Sequence, residues 1–541
     1  MNLCQGLSNV DHILSTNNVP SSLEAASIKH GIEDLACKIR QTRTELEAME
    51  CQLRRHKAAL SPIRRTPPEI IAQIIRFVAW GVLHSPGRQH LLWLSLVCRS
   101  WREAAMLCHE QWKGVHIEEK DVREPGAFEK IMCWYGRAGN LPKTLEFYLG
   151  GNDANCECEG GEEGESGGRC RFLNPTLVRL LKDRPTLDHF FLRISKPSCL
   201  FKLLDAISAR NPSPDIPLPW VNLRSLILDF SDIDYVEWDD AERAAHSVFN
   251  YLPRVTSLTL FMPVIYAVFR EDTSAARDAS IHLPPSLLGN LTSFEVRCDW
   301  EGSHILRMLE HCPQLEKLTI DLFGSNLVHD DMDPLVRRAV TTRLLFPRLH
   351  TLKLESQKTL CVLDYLKTPA LRSLYFDVFH GTSGRQVDQG FCTTFDLFMK
   401  ESNCGNTLRS LELINIHTLP TGLAQSIVAL RGLERLVLSQ VSAILAQLLG
   451  SLASRVTEAA GSSDEPALPY LKDVALLKVP NHLAHQCILD FVRSLPSQLN
   501  LTISYDTSRS KPHTEQWFME QLRNREACVR VIPDETLDWC Y

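Results

Sequence analysis

Three cysteines, Cys156, Cys158 and Cys170, stand in the acidic run GGNDANCECEGGEEGESGGRC at 150–170, where a metal is the chemistry such a cluster would suggest. A structural zinc takes four thiolate or imidazole ligands, usually paired two to four residues apart. The run has three cysteines and no histidine, so it reads as a disordered acidic insertion, and neither a metal nor a cofactor is expected. His482 and His485 lie three apart, a pair that on a helical stretch reads as ordinary surface or core histidine. There is no GxxxxGK[ST] to cradle a phosphate and no HExxH to hold a catalytic zinc. No catalytic residue is assigned, and the chain is expected to bind rather than to catalyse. Its 18 cysteines are scattered, many among apolar neighbours as at Cys98, Cys361 and Cys487, which suits reduced, buried thiols. Cys540 is next to last, which does not fit a prenylation signal.

The elements that carry this chain are more informative than its titratable groups. At 541 residues it exceeds one core, so several domains or a repeat array are expected. With 58 basic and 65 acidic residues the net charge is −7, which argues against nucleic acid as the main partner. No apolar run approaches the roughly 18 residues of a membrane span. The first twenty residues lack a basic start followed by an apolar segment, so the expected location is the cytoplasm or nucleus.

Residues 1–20 are polar and expected to be disordered. From Ile28 to Leu60 a seam recurs at alternating spacings of four and three: Ile28, Ile32, Leu35, Ile39, Thr42, Leu46, Met49, Leu53, His56 and Leu60. The segment 21–60 therefore reads as one helix whose seam is covered either by its own chain or by a second copy through residues 28–60. After Pro62, Thr66 and Glu69 have the spacing of a capping box ahead of Ile70, Ile71, Ile74, Ile75 and Val78. Residues 81–87 read as a turn, and a second apolar helix is expected over 91–105. About fifty residues seldom bury enough to stand alone, so part of this apolar surface needs a partner.

The stretch 63–112 resembles the F-box: Pro67-Pro68-Glu69-Ile70, an aliphatic helix, Val97-Cys98-Arg99-Ser100-Trp101-Arg102, and Trp112. A heptad helix leading into SPIRRTPPEI is similar to the arrangement in fungal F-box proteins. The family usually has Leu before the first proline, where this chain has Thr66. The resemblance implies docking on a Skp-type adaptor, and through it on a cullin and a RING subunit. The adaptor face it implies is Pro67, Pro68, Glu69, Ile70, Ile74, Leu91, Leu94, Val97 and Cys98, with Trp101 holding the helices together.

Beyond residue 170 a pattern of aliphatic, two variable, aliphatic, variable, aliphatic returns ten times, starting at Leu187, Leu223, Val255, Leu291, Leu315, Leu349, Leu371, Leu408, Leu433 and Leu471. This reads as the strand portion of a leucine-rich repeat, irregular because the spacings run from 22 to 38 residues. GRAGNLPKTLEFYL holds a still earlier strand. Period-two alternation sends the third and fifth residues of each copy to the open side, among them Thr259, Glu295, Glu412 and Val437. The candidate substrate contacts are Ile227, Lys317, Lys353, Tyr375 and Arg435.

The sequence thus predicts an α/β chain: disordered 1–20, helix 21–60, F-box 61–113, linker and first strand 114–149, insertion 150–170, and a solenoid of parallel strands and helices over 171–541. As a whole it resembles leucine-rich F-box proteins, which implies a non-catalytic substrate receptor of a cullin–RING ubiquitin ligase that binds a protein substrate. No RING array or HECT-type transfer cysteine is recognisable. The alternative is a leucine-rich scaffold outside any ligase, dimeric through its N-terminal helix.

Overall fold

The computed structural model describes residues 3–16, 19–79, 81–148, 170–182, 186–194, 197–208, 222–231, 247–263, 281–300, 303–322, 334–357, 361–378, 391–416, 420–441, 444–462, 467–479, 485–495, 498–505, 515–522 and 526–532. Residues 150–169 of the acidic insertion, His482 and the C-terminal Cys540 lie outside the described residues, whereas Cys170, expected in that disordered insertion, is buried at the start of a 3-10 turn, Arg171–Leu173. The chain divides into two units: Met1–Val78 with His90–Cys108, and Ala79–Gln89 with His109–Tyr541. The division does not follow the expected 61–113 boundary, since Trp112 and the segment 79–89 belong to the second unit.

The first unit is helical. Its start corrects the expectation of disorder: α1 runs Leu3–Thr16, and Leu3, Leu7, Val10 and Leu14 repeat at four, three and four, a helical period diluted by polar residues. α2 spans Ser22–Ala59, 38 residues or about 57 Å. Ser21 caps it: its hydroxyl accepts from the Glu24 N–H at 3.4 Å, and the Glu24 carboxylate accepts from the Ser21 N–H at 2.9 Å. No residue of α2 is buried, so its seam is not covered by its own chain.

A short turn of 3-10 helix, Pro62–Arg65, leads to α3, Pro68–Val78. The expected capping box does not form here, because the Thr66 hydroxyl turns back to donate to the Pro62 carbonyl at 3.3 Å. Instead the Pro67 carbonyl takes the first N–H bonds, from Ile70 and Ile71. The helix expected over 91–105 is two: α4, Ser85–Leu96, and α5, Arg99–Leu107, separated by Cys98 in extended backbone. That break lets α5 pack against α3. Ile71, Ala72, Ile75, Ala104 and Ala105 are buried, and the Cys108 thiol donates to the Ala72 carbonyl at 3.4 Å.

The second unit is built on one fourteen-stranded sheet, parallel throughout and in chain order, consistent with a solenoid-like repeat. The strands are β1 Gly114–Glu118, β2 Thr144–Tyr148, β3 His189–Arg193, β4 Ser225–Asp229, β5 Ser257–Phe261, β6 Ser293–Arg297 and β7 Lys317–Asp321. They continue as β8 Thr351–Gln357, β9 Ser373–Val378, β10 Ser410–Ile414, β11 Arg435–Ser439, β12 Asp473–Val479, β13 Gln498–Tyr505 and β14 Glu526–Ile532. Register aligns one apolar residue of every strand with its neighbours', as in Val115, Leu145, Phe190, Leu226, then Leu352, Leu374, Leu411. Each of these is buried, because no single strand could hide such a row and stacking hides all of it. Helices Pro420–Val428, Leu445–Ser462 and His485–Ser494 pack on one another in the same order.

Just past the strands, where regular repeats carry asparagine, stand buried Ile194, Phe230, Met262, Cys298 and Leu322. Their N–H groups extend the ladder by donating to Asp229, Phe261, Arg297, Asp321 and Glu355 carbonyls. Asn415, with φ of 57°, is an exception whose side chain donates to the Asp377 carboxylate at 2.7 Å.

Candidate functional site

Two surfaces have the properties of binding sites, one on each unit. On the helical unit the amphipathic stripe of α3 is doubled. Ile71 and Ile75 face inward, whereas Ile70, Ile74 and Phe77, spaced four and three apart, stay in solvent, Phe77 at 88% exposure. α4 and the break after it add Leu92, Trp93, Leu96 and Val97, and α5 adds Met106 and Leu107, all exposed. So many large apolar groups on a unit this small mark a contact surface.

Most of the adaptor-face residues anticipated from sequence lie on this surface: Pro67, Glu69, Ile70, Ile74, Val97 and Cys98 are exposed, and Pro68 and Leu94 are half-buried. Leu91 does not belong to it. It is 0% exposed, so it is an interior residue of the chain rather than a group offered to a partner. Phe77, Trp93 and Leu96 were missed, although a helical period running from Ile70 through Ile74 to Phe77 was present as a signal.

On the sheet the open face carries one residue per strand in register: His116, Glu146, Phe191, Ile227, Thr259, Glu295, Thr319, Lys353, Tyr375 and Glu412. At the β1 end this face is aromatic, with Tyr148 from the neighbouring row joining His116 and Phe191. His84 meets His116 edge-on at 4.2 Å, His116 stacks on Tyr148 at 4.4 Å, and Tyr148 stacks on Phe191 at 4.5 Å. The Arg193 guanidinium lies 5.5 Å from the Tyr148 ring centroid and is held by Asp229 at 2.9 Å. His116 and Glu146 approach within 3.2 Å through the His116 Nδ1. This end escaped the sequence reading because its first two strands do not match the repeat pattern.

Of the five residues anticipated as substrate contacts, the structure brings two together. The Lys353 ammonium sits 4.8 Å from the Tyr375 ring centroid and 2.6 Å from the Glu355 carboxylate. Ile227 is in the same row but four strands from Lys353, about 19 Å away at normal strand spacing. Lys317 and Arg435 belong to the neighbouring row, again four strands apart, with Arg435 near Glu412 at 3.7 Å. Val437 was expected on the open side and is in register with Glu412 there, but it is not solvent-facing: it is 0% exposed, packed with Leu477 and Ala475. Nearby, β12 shifts register between Leu476 and Val479, with Lys478 at φ 53°. Thr259 is also buried, and its hydroxyl donates to the Glu295 carboxylate at 3.5 Å.

Burial pushes the Glu295 carboxyl above the usual range, and the Glu355 carboxylate adds to this while Lys353 and Thr259 oppose it. A carboxyl raised in the folded state binds more protons folded than unfolded, so its ionisation subtracts from stability as pH rises through the interval above the ordinary Glu value. Glu295→Gln is therefore expected to raise the melting temperature at neutral pH, and the gain should shrink as the pH falls toward about 4 and be absent below it. Thermal melts of both proteins across that range check this, and a gain independent of pH would contradict it.

Among the described residues no group of histidines, cysteines and carboxylates is placed to hold a metal, and no helix is long and apolar enough to cross a membrane. Cys37, Cys51, Cys98, Cys108, Cys133, Cys298, Cys312, Cys404, Cys487 and Cys528 are thiols outside any disulfide. Burial raises the Cys312 thiol to about 12 and the Cys404 thiol to about 11, while Cys37, Cys51, Cys98, Cys133 and Cys528 are exposed. Under native conditions an alkylating reagent is expected to modify those five well before Cys108, Cys298, Cys312 and Cys404, as peptide mapping over a time course would show.

No protein-family model and no curated protein sequence matches this chain.

Proposed function

We propose that the chain is the substrate-receptor subunit of a cullin–RING ubiquitin ligase, its helical unit an F-box and its sheet the strand layer of an irregular leucine-rich repeat. The observation that carries this reading is the solvent-exposed apolar surface of α3, α4 and α5, around the residues whose order resembles an F-box. A Skp-type adaptor is the partner that such a surface would receive. The sheet's open face supplies the second half of a receptor, a long row of mixed aromatic, acidic and basic side chains suited to a protein rather than to a small molecule.

In this reading the chain does no bond chemistry. It raises the effective concentration of a substrate's lysines beside a charged conjugating enzyme by holding both ends of the assembly. Affinity purification of the full chain from cells with the proteasome blocked tests the proposal: adaptor and cullin should copurify. Adaptor without cullin would reduce the chain to a scaffold, and the absence of both would overturn the reading.

A further inference from the structure

The seam of α2 belongs to neither surface. In heptad terms Ile32, Ile39, Leu46 and Leu53 occupy the a positions, and Ile28, Leu35, Thr42, Met49 and His56 the d positions. Ile32, Leu35, Ile39, Leu46, Met49 and Leu53 are all more than half exposed along an uninterrupted helix, so the chain itself leaves the row uncovered. The charges flanking the seam specify what covers it. The e positions are Lys29, Ala36, Arg43, Glu50 and Lys57, and the g positions Gly31, Lys38, Glu45, Gln52 and Ala59.

In a parallel pair each g residue faces the e residue five places on in the other helix. Lys38 would then meet Arg43 and Glu45 would meet Glu50, like against like, each contact made twice by symmetry. Glu24 opposite Lys29 would be the one attractive contact of that arrangement. His56 would also stand against His56.

In an antiparallel pair a lies over d, g beside g and e beside e. One register sets Ile39 over Thr42, Leu46 over Leu35, Ile32 over Met49 and Leu53 over Ile28, using the whole seam. In that register Lys38 meets Glu45 and Lys29 meets Glu50, again twice each, and no like charges meet at these positions. His56 falls opposite the small Ala25 at the solvated end. Sliding by one heptad one way sets Arg43 against Arg43 and Glu45 against Glu45. Sliding the other way sets Lys38 against Lys38 and Lys29 against Arg43. We infer that a second copy of this chain covers the seam as an antiparallel two-stranded coiled coil centred between Ile39 and Thr42. Adaptor docking plays no part in the argument, so a chain that dimerises and ignores the adaptor would leave the inference intact.

Sedimentation equilibrium of the full chain at low ionic strength tests both the pairing and its direction. The native chain is expected to be a dimer. Lys38→Glu faces Glu45 in the antiparallel pair and should weaken association about fivefold to tenfold, since two contacts change from attraction to repulsion. Lys38→Glu combined with Glu45→Lys should restore it. A parallel pair would respond in the opposite sense to the single change, because Glu at 38 would then face Arg43. A native chain that stays monomeric, a single variant that associates as tightly or more tightly, or a double variant as weak as the single one would each overturn the inference.

Discussion

Ile74→Asp and Val97→Asp should each abolish most of the affinity for a Skp-type adaptor while leaving the helical unit folded. Ile74 is 41% and Val97 63% exposed, so a carboxylate at either position remains solvated in the free chain and loses its water only on docking. An unpaired charge inside an interface costs about 2–4 kcal/mol, or some 30- to 1,000-fold in affinity. Leu91→Asp provides the contrast. Leu91 is fully buried, so the same carboxylate would be desolvated already in the free chain and should disrupt its fold. Titration of the adaptor, with circular dichroism of each variant, separates the two outcomes. Equal adaptor affinity for native, Ile74→Asp and Val97→Asp chains would remove α3 and the Cys98 break from the docking surface.

Leu352→Ala should destabilise the sheet by about 2–5 kcal/mol, the range for truncating a buried leucine that its neighbours cannot close over. Leu352 lies between Leu318 and Leu374 in the apolar row and is 0% exposed, and parallel strands on both sides hold the backbone that would have to relax. The adjacent Lys353 points to the open face, so Lys353→Ala should shift stability by no more than about 1 kcal/mol, the loss of one cation–π contact and one exposed ion pair. Urea denaturation of the two variants measures the difference. Since neighbouring repeats couple mainly to one another, hydrogen exchange should place the Leu352→Ala loss in β7, β8 and β9 first. Equal effects of the two changes would mean that the alternation of faces along β8 is misassigned.

That alternation was legible because ten of the fourteen strands carry an aliphatic residue or phenylalanine at all three positions of the pattern. The remaining four strands fail at its first position, which is Trp112 before β1, Pro142 before β2, Gln498 in β13 and Glu526 in β14. A strand in GRAGNLPKTLEFYL was still anticipated, and register places all four in the sheet, since Val115, Leu145, Leu501 and Val529 continue the same buried row. The row's inward positions could be read locally; the aromatic stack of His116, Tyr148 and Phe191 could not, because it joins residues from three strands separated by up to 75 positions.

The exposed apolar surface of the helical unit shows a different limit. α3 has two aliphatic stripes one residue apart, Ile70–Ile74 and Ile71–Ile75, each with helical spacing, and periodicity alone does not say which one turns inward. The packing of α5 decides it, and α5 exists as a separate helix only because the backbone opens at Cys98, where no glycine or proline announces a break. Leu91 was misplaced because its burial depends on tertiary packing around α4 that spacing along the chain does not reveal.

The most direct measurement is calorimetric titration of a purified Skp-type adaptor into the full chain. The account predicts saturable one-to-one binding per chain with a negative heat-capacity change, the mark of apolar surface leaving water, and protection of Cys98 from alkylation in the complex. Absence of heat and of Cys98 protection at adaptor concentrations well above micromolar would contradict it.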